Sequence, residues 1–185
     1  MTLLTRSFDV ETDGRNVIGL AYYYDRASKV TDDGRRFYLE AFAKGAETKT
    51  LKQRAERPLF KTHRRNEDPI GITTFEPIGE GLLFRARMSK TRDGDEALEL
   101  VNDGAMRSAS VGFVSFQDLK RTTIDGPVIV RAEIGIRELS LVPTGFGQHA
   151  GAEVLAVRSE PEVEGTPRLD ALRRKLILLA PLTLP

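Results

Sequence analysis

The stretch VIVRAEIGIRELSLV, residues 128–142, decides how this chain folds. Val128, Val130, Ala132, Ile134 and Ile136 place apolar side chains on every even position. A period of two is that of a strand with one face in the core. After Ile136 the parity changes, and Leu139 and Leu141 carry the apolar set on odd positions. A shift of one residue turns a strand's side chains onto the other face of its sheet. Two arrangements satisfy the pattern. Either a bulge lies near Arg137-Glu138, or Glu138 and Ser140 point into the core face. Bulges concentrate beside active sites, which singles out Glu138.

Outward from this run, the same signature recurs in shorter pieces. Residues 17–24 and 37–42 are rich in β-branched and aromatic side chains. A further run, 70–75, follows Pro69. Gly79-Glu80-Gly81 reads as the turn into 82–88, where Phe84, Ala86 and Met88 alternate with Arg85 and Arg87. These two runs predict a hairpin. A strand over 110–116 and a turn at Asp125-Gly126 lead back to the long run. Between them, Asp93 reads as a helix cap with Glu96 three residues on, Ala97, Leu100 and Val101 as the apolar face, and Gly104 as the stop. A second, shorter helix is expected between about 46 and 56, ended by Pro58. The pattern is that of an α+β chain built on a mostly antiparallel sheet or barrel.

Composition bounds the chemistry. With 185 residues the chain is long enough for one domain with a real core. Lys and Arg number 28 against 27 Asp and Glu, a net charge of +1. That balance argues against nucleic acid as the principal ligand, because phosphate recognition leaves a basic excess. A basic module using Arg64, Arg65, Arg85, Arg87 and Arg121 is correspondingly disfavoured. There is no Cys, which excludes a thiol nucleophile, disulfides and Cys-based metal sites. With two His, His63 and His149, a three-His metal site is impossible, and no cofactor fingerprint is present. No run reaches the roughly 20 apolar residues of a membrane span, and the first residues lack the apolar core of a secretory signal.

The chain divides at its acidic, Pro- and Gly-containing segment. Residues 1–158 read as the folded domain, 159–166 as a linker and 167–185 as a helix and tail. In that helix Thr166 caps, Pro167 takes the first position and Asp170 completes a capping box. Leu169, Leu172, Leu176 and Leu179 have a heptad-like spacing, and Pro181 stops it. Such a face packs on a partner or on the chain's own sheet.

Three polar residues stand in or at the start of strand-like, apolar surroundings: His63, Ser110 and Glu138. A serine hydroxyl needs a base to take its proton, and a neutral imidazole suits that task. A carboxylate that fixes the imidazole's tautomer completes the set. Each residue also has an ordinary reading. His63 after Lys61-Thr62 fits a surface or capping residue, and Ser110 fits a strand start with Ser108 as a rival. Glu138 fits a solvent-facing partner of Arg131 or Arg137. Arg64 and Arg65 fit surface charges, and Gly112 a bulge or close backbone approach.

The words around these residues form an ordered series. Phe60-Lys61-Thr62-His63 is followed by Ile70-Gly71, then Gly81-Leu82-Leu83-Phe84-Arg85-Ala86-Arg87, then the helix at 97–104. Ser108-Ala109-Ser110-Val111-Gly112-Phe113 and Arg137-Glu138-Leu139-Ser140-Leu141-Val142-Pro143 complete it. Over about residues 16–157 this series resembles the tailed-phage prohead serine protease family. The resemblance implies a small closed β-barrel flanked by helices, similar to the herpesvirus assembly proteases. It implies Ser110 as nucleophile, His63 as general base and Glu138 as the orienting acid. It further implies a serine endopeptidase of capsid maturation that works without a cofactor. Its substrates would be the major capsid protein, the scaffolding segment and the enzyme itself, inside the procapsid in the host cytoplasm. A homo-oligomer is compatible with this role, and residues 159–166 would be a region of self-cleavage. Thr62 departs from the family's Asn, and residues 143–150 depart from its Pro-Ala-Asn continuation. A capsid-associated scaffold or decoration barrel without catalysis shares the same fold and composition.

Overall fold

The protein is described by a computed structural model covering residues 14–31, 35–145, 147, 149 and 152–158. The linker and the leucine helix expected at 159–185 lie outside the described residues. In chain order the elements are β1 (Asn16–Tyr23), β2 (Ser28–Thr31), β3 (Phe37–Phe42), α1 (Thr48–Gln53), β4 (Glu56–Lys61), β5 (Gly71–Pro77) and β6 (Gly81–Met88). There follow α2 (Arg92–Asn102), β7 (Ser108–Thr123), β8 (Gly126–Val142) and β9 (Glu153–Arg158).

Among the described residues, the nine strands join one sheet in the order β2-β3-β8-β4-β5-β6-β1-β9-β7, with β7 also paired to β8. The sheet curls into an open half-barrel. The closed barrel expected from the sequence does not form, because β9 meets β7 at a single residue pair, Ser108 with Glu153. Most pairings are antiparallel, and the parallel ones are β3–β8 and β4–β8. The predicted hairpin is present, Gly71 facing Met88 and Pro77 facing Leu82. Inside the curl Tyr22, Phe42, Leu59, Phe84, Ile134, Ile136, Leu139 and Leu141 are buried together.

Three local expectations need correction. The cap of α2 is Thr91, whose Oγ1 accepts from the Gly94 N–H at 3.2 Å. Asp93 lies inside the first turn, where its charge favours the helix dipole. The first helix stops before Arg54. Pro58 is not its terminator but a residue of β4, opposite Ile72. The strand's other edge first meets β8 at Leu59.

β8 is the spine of the molecule, and its outer edge is covered in sections. β3 pairs with residues 128–131 and β4 with 139–141. Buried backbone polar groups in between need partners, and the segment carrying α1 supplies them. Ile134 N–H donates to Ala46 O at 2.9 Å, and Thr50 Oγ1 donates to Ile134 O at 2.8 Å. Buried Arg57 donates from Nε to Ile136 O at 2.6 Å. The segment is itself pinned from inside the curl, where Tyr22 and Tyr24 hydroxyls donate to the wholly buried Glu47 at 3.0 and 2.6 Å. Burial, with the charge of Glu47 added, pushes both phenols up, so they stay donors.

Candidate active site

The parity change in β8 is resolved by a bulge. Gly112 of β7 faces Glu138, the next residue Phe113 faces Ile136, and Arg137 is left without a partner. Ile134, Ile136, Leu139 and Leu141 can thus all reach the core. Glu138 and Ser140 fall on the opposite face, yet both are buried. What covers them is the turn that follows β4.

That turn is built under constraint. Thr62 N–H still donates to Leu141 O at 2.9 Å, extending the β4–β8 ladder. Thr62 and His63 then adopt φ of 52° and 56°. Left-handed backbone costs a non-glycine residue roughly 1–2 kcal/mol, and β-branched Thr62 is poorly suited to it. Its hydroxyl is buried with no hydrogen-bond partner among the described residues. The turn is held from below, where His63 backbone N–H donates to Ser140 Oγ at 3.0 Å. Ser140 Oγ–H in turn donates to Glu138 Oε2 at 2.9 Å. One serine therefore ties the strained turn to the buried carboxylate.

The His63 ring completes the arrangement. Its Nδ1 lies 2.7 Å from Glu138 Oε1. An ionised carboxylate accepts only, so it selects the tautomer with the proton on Nδ1 and leaves Nε2 with a free lone pair. Glu138 is 1% exposed and the His63 side chain 37%. Burial pushes the Glu138 carboxyl up, but the His63 hydrogen bond and charge, with the bonds from Ser140 and Arg65, together hold it below the usual range.

Ser110 shares this face. It lies opposite Ser140, while its neighbours Ala109 and Val111 are buried in the core. Ser110 is partly exposed, and its Oγ has no hydrogen-bond partner among the described residues. Such bonds are often long before substrate binds. Ser108 differs: it is buried, and its Oγ accepts from the Gly145 N–H at 2.9 Å. Of the two serines, Ser110 has the uncommitted hydroxyl.

Besides Ser140, two residues of this cluster were not singled out for chemistry by the sequence. Arg65, read as a surface charge, places Nη2 at 3.1 Å from Glu138 Oε1. Gly112 makes this possible, because a Cβ there would collide with both Glu138 Oε1 and Arg65 Nη2. The close approach expected at Gly112 is therefore to side chains of the site. Arg64 does behave as a surface charge, paired with Glu67 at 3.1 Å. Arg131 is engaged elsewhere, with Glu40 and Asp118, and is not the partner of Glu138. Among the described residues no group of His, Asp or Glu has the arrangement of a metal site.

A buried carboxylate, an imidazole with its far nitrogen free and a partly exposed serine on one face can support acyl transfer. Residues 2–163 match the family model described as Caudovirus prohead serine protease. No curated protein matches the chain.

Proposed function

The chain belongs to the Caudovirus prohead serine protease family, a serine peptidase family acting in capsid maturation, and we propose that Ser110, His63 and Glu138 are its catalytic residues. The observation that carries this reading is the 2.7 Å contact between His63 Nδ1 and buried Glu138, on the face that bears Ser110. Ser110 Oγ attacks the scissile carbonyl as His63 Nε2 takes its proton. The imidazolium formed is stabilised by Glu138 and protonates the leaving amine. Water then enters, gives a proton to His63 and releases the acyl group from Ser110.

The substrates are the scaffolding segment or N-terminal region of the capsid protein, together with the protease's own 159–166 segment, cut within the procapsid. Co-expression with the matching capsid protein tests this, wild type beside Ser110→Ala and Ser108→Ala, read by intact mass. Trimming lost only with Ser110→Ala supports the assignment. Loss with Ser108→Ala alone moves the nucleophile by two residues. No cleavage by a folded wild type favours a capsid-associated component without catalysis.

A further inference from the structure

We propose that Arg65 is a positioning residue of this centre, acting through Glu138 to keep the carboxylate ionised and aimed at His63 while His63 is neutral; the inference rests on the catalytic reading above. The groups facing the Glu138 carboxylate can be named from each element around it. The turn after β4 contributes His63 and Arg65, β8 contributes Ser140, and β7 contributes Gly112, which carries no charge. Only two of these can be cationic. A general base must be neutral to work, so in the resting enzyme His63 provides a hydrogen bond but no charge. Among the described residues, Arg65 is then the one cation in contact with a carboxylate that is 1% exposed. A buried carboxylate without a cation tends to take up a proton instead. A protonated Glu138 would no longer select the productive imidazole tautomer.

Two observations separate this role from that of an incidental surface pair. Arg65 Nη2 reaches Oε1, the same oxygen that receives the His63 Nδ1 proton. The space it occupies over β7 exists only because residue 112 has no side chain. The side chain is also 58% exposed. That exposure screens the Arg65 charge and keeps the stability cost of losing it small, so Arg65 should show itself more in pH behaviour than in melting temperature.

The acid limb reports proton uptake by the coupled His63–Glu138 pair, since the base must be neutral and the carboxylate ionised. Removing a neighbouring cation favours that uptake and brings the loss in at higher pH. A fluorophosphonate probe reads this without a known peptide substrate: Ser110 Oγ bonds to phosphorus, fluoride leaves, and His63 takes the serine proton. In the full chain, Arg65→Ala should slow labelling about 10-fold at neutral pH and move the acid limb up by about half a pH unit or more. Arg65→Lys should return the limb close to wild type, and both variants should melt within about 2 °C of it. The carboxyl carbon of Glu138, followed by NMR titration, should shift its midpoint upward in Arg65→Ala. An unmoved acid limb, or an unmoved carboxyl titration, overturns the inference. If wild type is not labelled at Ser110, the catalytic reading falls, and the carboxyl titration still decides whether Arg65 governs Glu138.

Discussion

Both histidines of this chain meet a buried glutamate, but the two pairs are built differently. His63 presents Nδ1 to Glu138 at 2.7 Å, and His149 presents Nε2 to Glu40 at 3.1 Å. Glu40 also carries Arg131, which reaches on to Asp118 at 2.8 Å. The surroundings of this second pair are aromatic. The His149 ring lies 4.8 Å from that of Phe42, and Arg131 sits over Phe113 and Tyr38. His149 is 13% exposed against 37% for His63. A carboxylate orients an imidazole in either place. Only His63 combines a partly exposed ring with a face that bears an uncommitted serine. A His–Glu contact defines a fixed ring, whereas a reactive site needs the ring's other nitrogen and a nucleophile on one side of the sheet.

The largest effect that could break this contrast is at the nucleophile. Ser110→Ala should lower peptide cleavage by about 10⁴-fold or more, while His149→Ala should leave the rate within about threefold and cost stability instead. A cleavage assay with a denaturant melt on each variant checks both. Equal loss of activity from the two would make the second pair part of the centre.

Next in size is Glu138→Gln, which keeps the shape but offers Nδ1 an amide in place of a carboxylate. A loss of about 10³-fold is expected, mainly in kcat, because the tautomer is no longer enforced. Acid stability supplies a second reading. The folded pKa of Glu138 is depressed, so its contribution is present above the ordinary glutamate range and fades as pH falls through the folded value. Glu138→Gln should therefore flatten the loss of stability on acidification, as measured by denaturant unfolding at a series of pH values.

Gly112→Ala comes third. The added methyl would collide with Glu138 and Arg65 together, so one or both must move from the ring. We expect a loss of about 10²-fold with an unchanged circular dichroism spectrum, since a misplacement near 1 Å costs that much. Full activity in this variant would mean the clamp is dispensable.

What could be read from residues alone follows physical lines. The run at 37–42 was legible from its aromatic content, and those at 84–88 and 128–131 from side chains that alternate between a buried and a more open face. Glu138 was legible because a bulge leaves a trace, the change of apolar parity on either side of Arg137. β4 was hidden, since Pro58 looks like a helix stop and Arg57 like a surface residue, although it is buried against β8. The failure of closure was hidden as well. It depends on how many residues β9 and β7 share, a long-range quantity that no local pattern encodes. Arg65 left no trace, because a Lys-Thr-His-Arg-Arg segment has no periodicity. Only the missing Cβ at Gly112 hinted at something crossing the strand.

The smallest effect expected concerns Ser140 beside Ser108, two buried serines that each secure a loop. Ser108 Oγ accepts from Gly145 N–H and holds the turn after β8. Ser140 Oγ accepts from His63 N–H and gives its own proton to Glu138. Loss of either hydroxyl strands a backbone donor, at about 1–3 kcal/mol of stability. The catalytic consequences should differ. Ser108→Ala leaves the His63–Glu138 pair untouched and should alter the rate by less than about threefold. Ser140→Ala frees a turn that two left-handed residues already strain, and it removes one of the bonds that keep the Glu138 pKa low. A rate loss of about 10-fold with an acid limb displaced to higher pH is expected. If both serines cost stability but neither moves the pH profile, Ser140 supports the turn alone, and the carboxylate is governed by His63 and Arg65.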